Sequence, residues 1–196
     1  MWYNWRMNIR YILIALVVVV GGFFAFNMTQ TTPRISDVKN AEYTIQGQKV
    51  KLQNGVSTAT EAGSESKIVT RYFGDEVHHD LNDDGREDTV FLLTQTTGGT
   101  GTFFYVVAGL NTVGGYVGSE AYLLGDRIAP QTTEMDEGKT ALGTNRKNVI
   151  VVNYAERKAG EPMTAKPSVG KSVWLKLNPD TLRFGEVAQN FEGEAR

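Results

Sequence analysis

Cysteine is absent from all 196 residues. That single absence removes disulfides, thiolate metal sites, cysteine nucleophiles and lipid attachment through a lipobox cysteine. Histidine is almost absent, with only His78 and His79. On a strand these neighbours would face opposite sides, so they cannot readily chelate one ion together. No GxSxG or HExxH occurs, and a Ser-His-Asp triad would have to borrow one of the two. A surplus of one charge is missing too: the net charge is −2, and setting aside Arg6 and Arg10 leaves 18 basic against 22 acidic residues. Such a body has no global pull toward nucleic acid. Long Ala/Leu/Glu/Lys stretches are missing, whereas glycine reaches 21 and threonine is frequent. That mixture favours strands joined by tight turns.

Long hydrophobic runs are also lacking, with one exception. Tyr11 to Phe26 reads YILIALVVVVGGFFAF, sixteen residues without a charge. As a helix it would span about 24 Å, slightly short of a bilayer core of about 30 Å, and Met7–Ile9 on one side and Asn27–Met28 on the other can extend it. Trp2, Tyr3 and Trp5 sit where an interfacial aromatic belt would lie. Arg6 and Arg10 precede the run and the next basic residue is Arg34, so the positive-inside rule places the N-terminus in the cytoplasm. The expected organisation is a cytoplasmic N-terminus (1–10), a transmembrane anchor (11–28), a linker (29–41), an extracytoplasmic β domain (42–180) and a polar tail (181–196). The competing reading is a cleaved signal peptide, with Val20-Gly21-Gly22 as a poor cleavage site; Phe23, Phe24 and Phe26 carry the apolar run past it.

After the linker, strand signals recur. Tyr43–Ile45 and Lys49–Gln53 flank Gln46-Gly47, and Asn54-Gly55 marks a second turn. Lys67–Phe73, Asn148–Tyr154 and Ser172–Leu177 read as strands, and Tyr116–Leu124 as one more. Thr89–Gln95 and Thr102–Ala108 are apolar on both faces, which predicts central strands covered on both sides. Between them TTGGTG (96–101) lacks a phosphate-loop ending and a following helix, and reads as a hairpin turn. No convincing 3.6-residue period follows the apolar run. The predicted fold is all-β, mainly an antiparallel sandwich or a partly open barrel, preceded by one N-terminal transmembrane helix.

The sharpest local pattern is DLNDDGRED, residues 80–88. Asp80, Asn82, Asp84 and Asp88 place oxygens at loop positions 1, 3, 5 and 9, with Gly85 at position 6 and the Arg86 carbonyl at 7. Calcium takes six to eight hard oxygen ligands, and this spacing wraps them around one centre. The pattern resembles the DxNxDGxxD calcium loops of dockerins and of extracellular integrin-like and adhesin-type repeats. Phe91 stands where an EF-hand has its bidentate glutamate, and residues 89–95 read as a strand, which excludes a true EF-hand. Asp75, Glu76 or water would complete the shell, and the Arg86 side chain is expected to point away. Seven carboxylates and one arginine fall between Asp75 and Asp88, a repulsive set that a cation would relieve. Another divalent ion, or an Asx-rich turn that binds nothing, stands beside this reading.

Ala155 to Lys171 is a long polar connection carrying Arg157, Lys158 and Lys166, a candidate contact for an anionic partner or an ordinary hairpin excursion. The stretches SKIVTRYFGDE, DLNDDGREDTVFLLTQ, GGTGTFFYVVAGL and YLLGDRIAPQT resemble an uncharacterised bacterial cell-envelope domain that sometimes accompanies META-type or lysozyme-inhibitor-type modules. The likeness spans about residues 42–177 and implies location and a single fold, with no catalytic residue to carry over. The expectation is a membrane-anchored, non-enzymatic envelope domain with a structural calcium loop and an unknown envelope partner. An envelope hydrolase drawing carboxylates from 75–88 and an inhibitor or ligand-binding module are the alternatives.

Overall fold

The computed structural model describes residues 37–60, 63, 65–136 and 147–187. The apolar run, most of the linker and the end of the tail lie outside these residues. Among the described residues no helix is long and apolar enough to cross a membrane.

A short 3-10 turn, Val38–Asn40, is capped by Asp37, whose carboxylate accepts from the Lys39 amide. Among the described residues twelve strands follow: β1 (Glu42–Ile45), β2 (Gln48–Lys51), β3 (Val56–Thr60), β4 (Lys67–His79), β5 (Asp88–Thr96), β6 (Phe103–Thr112), β7 (Gly115–Gly118), β8 (Tyr122–Asp126), β9 (Ala129–Met135), β10 (Val149–Glu156), β11 (Val169–Asn178) and β12 (Arg183–Glu186). They form a β1-β2 hairpin, a six-stranded sheet ordered β3-β4-β5-β6 with β7 and β8 sharing the far edge of β6, and a four-stranded sheet ordered β12-β11-β10-β9. Every named pairing is antiparallel. The all-β expectation holds, and the sheets are not closed into a barrel.

β5 and β6 are central because their sequences are apolar on both faces, as the run VFLL in β5 foretells. Val90 and Leu92, with Phe104, Val106 and Ala108, pack against Ile150, Val152, Leu175 and Leu177 of the four-stranded sheet. Phe91, Leu93, Tyr105 and Val107 point the other way and meet Val38, Ala41, Tyr43, Ile45 and Leu52. Each Val, Leu, Ile or Phe among them, when fully buried, contributes roughly 1.5–3 kcal/mol.

Several boundaries differ from the sequence reading. β12 pairs with β11 and Val187 donates to the Trp174 carbonyl, so the β domain continues past residue 180 into the expected tail. Val38 and Ala41, assigned to the linker, are core residues. The single strand expected over Tyr116–Leu124 is two, broken at Ser119, whose hydroxyl replaces a ladder acceptor by taking the Ala108 amide. β4 runs beyond Phe73 to His79 through register shifts between Tyr72 and Val77, irregularities of the kind that bend and twist a strand.

Candidate cation-binding loop

β4 ends at His79 and β5 begins at Asp88, and these two residues are register partners. The loop between them is therefore closed at its base and must curl. Asp80 Oδ1 accepts from the Asp84 amide at 3.1 Å and Oδ2 from the Gly85 amide at 2.8 Å. Asn82 Oδ1 accepts from the same Asp84 amide at 3.2 Å, and its Nδ2 donates to Asp84 Oδ2 at 3.1 Å. Asp84 Oδ1 accepts from the Arg86 amide at 2.9 Å. The side chains at positions 1, 3 and 5 thus fold over a common turn, with Gly85 at φ +80° supplying the bend.

Asp88 lies beneath them, fully buried. Its two oxygens accept from the Leu81 amide at 3.0 Å and the Asn111 amide at 2.8 Å. Burial pushes its carboxyl above the usual aspartate range despite these amides, and the charges of Asp84 and Asp80 add to the rise. Partial desolvation pushes Asp84 upward as well, but the Arg86 amide, Asn82 and the Arg86 guanidinium outweigh it and hold that carboxyl low.

The Arg86 side chain does not point away. Its Nη2 lies 2.5 Å from Asp84 Oδ2, and its Nε donates to the Asn111 carbonyl at 2.7 Å. The only cation inside a run of carboxylates folds back onto them, as Coulomb attraction requires. Glu76, considered for the ligand shell, instead faces Lys39 at 3.8 Å and His78 at 3.7 Å.

Three further residues hold the loop and were not legible from its sequence. Asn148 is buried, at φ +60°; its Nδ2 donates to the Leu81 carbonyl at 2.9 Å and its Oδ1 accepts from His79 Nε2 at 3.2 Å. Lys147 pairs with Asp83 at 2.8 Å. Asn111 contributes the amide and carbonyl already named. The signal at 147–148 is weak, a lysine and an asparagine before an apolar strand, and nothing in it points to a loop more than sixty residues earlier.

Comparison of the chain with protein-family models, curated proteins and solved structures finds no match. The loop must therefore be judged on its own donors. In favour of a hard cation, the side chains at positions 1, 3 and 5 share one turn, and a third carboxylate, Asp88, is buried below them. Against it, Arg86 and Asn82 occupy Asp84 Oδ2, both Asp88 oxygens take amide protons, and among the described residues no group of three or more His, Cys, Asp or Glu side chains could hold a metal.

The other sequence candidates resolve differently. His78 and His79 do diverge: His78 lies between Glu76 and Glu87 and contacts the Thr89 hydroxyl, while His79 meets Asn148. TTGGTG is the turn joining β5 to β6. In the long connection after β10, Arg157 donates to the carbonyls of Arg127 at 3.1 Å and Asp126 at 3.0 Å, a tie within the fold. The Lys158 amide meets Glu161, and Lys166 is exposed.

Proposed function

We propose that this chain is a membrane-tethered, extracytoplasmic β domain of the bacterial cell envelope that binds a partner without transforming it. In this reading calcium staples the 80–88 loop. One observation carries the tether: an uncharged apolar run of sixteen residues, extended by its flanks toward bilayer length, follows Arg6 and Arg10, and only a polar linker separates it from a β-rich body. The calcium reading is supported by Asp88, a fully buried carboxylate beside two others: burial first, and the charges of Asp84 and Asp80 after it, disfavour its ionised form, and a dication would offset both. Asp80, Asn82, Asp84, Asp88 and the Arg86 carbonyl would supply oxygens, and Arg86 would have to leave Asp84 Oδ2.

The absence of cysteine makes the topology simple to test. A single cysteine at Thr97, in the exposed β5–β6 turn, should react with a membrane-impermeant maleimide in cells whose cytoplasmic membrane is intact. Protection from the reagent until that membrane is lysed sinks the extracytoplasmic assignment. For calcium, heat melting of the full chain should show a loss on chelation of about 2.7 kcal/mol if free ion had stood at about 100 times its Kd. Asp80→Ala should abolish that difference. Identical melting with calcium and with chelator rejects the staple.

A further inference from the structure

Most strand edges in this protein are blunted. The far edge of β6 is divided between two short strands, and β1 seals the break: Thr44 donates to the Ser119 carbonyl and accepts from the Ala121 amide. β9 contains Pro130 and a register shift against β10. β12 is four residues long and carries Arg183 and Glu186, and β2 carries Lys49 and Lys51. Charge, proline, irregularity and brevity are the devices that stop unwanted strand addition.

β3 lacks charge and proline. It reads VSTAT, exposed at every position but the half-buried Ser57. Its regular ladder with β4 carries no register shift. Val56 turns its N–H and C=O away from β4, toward Gln53, at 3.1 and 2.8 Å. By strand alternation Thr58 and Thr60 direct their backbone groups to that same side, where among the described residues no strand pairs with them.

The surrounding charge selects the occupant. Arg71 and Lys67 of β4 stand opposite Val56 and Thr60. Lys51 lines, with Gln53, Val56, Ser57 and Thr58, a cleft of about 470 Å³ beside the edge. All three cations are exposed and none has an ion-pair partner among the described residues. A second copy laid edge to edge would bring these cations against their own kind. An acidic strand would not. An added strand lies about 10 Å from β4, two strand spacings away, and the short side chains of β3 leave glutamate and arginine free to meet across it.

We propose that β3 is a strand-addition site for an extended acidic segment of a partner protein. Its backbone pairs with Thr58 and Thr60, and its carboxylates meet Lys51, Lys67 and Arg71. This deepens the binding role above by naming a surface and a partner chemistry. It can fail separately, because membrane insertion and calcium binding do not involve β3.

The test uses the full-length chain in detergent and fluorescence anisotropy with three labelled peptides. One alternates glutamate and valine, one has lysine for every glutamate, and one is the acidic peptide N-methylated at alternate amides. The acidic peptide should bind, and the other two should be weaker by about tenfold or more. Thr58→Pro should weaken acidic binding to the same degree. Lys67→Glu with Arg71→Glu, at exposed positions that leave the fold intact, should reverse the preference toward the lysine peptide. Failure of the acidic peptide to bind overturns the proposal, as does binding that survives N-methylation. A dimer in light scattering that Thr58→Pro dissolves assigns the edge to a second copy and overturns it too.

Discussion

The central sheet is covered on one face by another sheet and on the other by a hairpin, and the two covers hold by different means. Toward the four-stranded sheet the contact is broad and mostly aliphatic, with Val, Leu and Ile from five strands interleaved. Toward β1-β2 it is small, aromatic and tied by directional bonds. Tyr43 meets Phe91 edge to face at 5.5 Å, and its hydroxyl donates to the Val38 carbonyl at 2.8 Å. Across the contact the Thr44 amide donates to the Ser119 carbonyl, the Ala121 amide to the Thr44 carbonyl, and Gln46 Nε2 to the Tyr105 hydroxyl. A two-stranded ribbon has too little apolar area to hold by burial alone. Hydrogen bonds and aromatic contacts supply what area cannot.

Adjacent residues of β5 separate the two covers. Phe91→Ala empties the hairpin face and should cost about 3–5 kcal/mol, whereas Leu92→Ala empties the sheet face at about 2–5 kcal/mol. Chemical denaturation followed by amide exchange distinguishes the outcomes. Loss of protection in β1 and β2 ahead of the rest in Phe91→Ala shows a hairpin that detaches by itself. A single transition in both variants means that the two faces fold as one unit, and the contrast drawn above then concerns contacts only.

Gly118→Ala sharpens the same point from the edge side. A Cβ there would lie 2.2 Å from the Glu42 carbonyl oxygen and 2.6 Å from the Tyr43 ring, so the hairpin must shift to admit a methyl group. A cost of about 1–3 kcal/mol is expected, with exchange protection lost in β1 and retained in β10 and β11. An unchanged melting temperature would mean that β1 docks more loosely than this contact implies.

How much of this was legible depended on how many faces each strand buries. β5 and β6 bury two, so their apolar runs stand out without any neighbour. β3 and β9 bury little: VSTAT and APQTTEM carry no alternation of apolar residues, and Pro130 argues against a strand. The strand read over Lys67–Phe73 stops short of residues 74–79 of β4 because bulges suspend the period-2 pattern there. In the acidic loop the spacing of Asp80, Asn82, Asp84 and Asp88 announced a wrapped turn, which the structure contains. It did not announce that Arg86 would fold back, nor that Asn111 and Asn148 would hold the loop from β6 and from the start of β10. Those partners are set by the tertiary fold, and local spacing carries no record of it.

The broad sheet face has polar ties of its own, and Arg157 tests them. Its guanidinium, just after β10, holds the carbonyls of Asp126 and Arg127 at the end of β8, linking the two sheets. Arg157→Ala should cost about 1–2 kcal/mol, and Lys166→Ala, at an exposed position, less than about 0.5 kcal/mol. Equal small effects in heat melting would show that burial alone holds this face and would return Arg157 to the set of residues available to a partner.

Asp126 gives a small effect and the one with a pH signature. The Arg127 side chain bonds its carboxylate, the Thr102 amide adds a second bond at 2.9 Å and the Arg157 charge a third influence, so its carboxyl is held below the ordinary value of 3.8 despite partial burial. An acid whose pKa is depressed by folding stabilises the native state above its unfolded value, and that contribution is lost as pH falls through the folded value. Asp126→Asn keeps an acceptor for the Thr102 amide but removes the charge. It should cost about 1 kcal/mol near neutral pH, a modest figure because the side chain is partly solvated, and nothing once the native carboxyl is itself protonated. Melting curves of the two proteins should therefore converge as the solution is acidified below the aspartate range. A gap that persists in acid would place the value of Asp126 in its shape and hydrogen bonds, and would remove charge from the account of how the two sheets are joined.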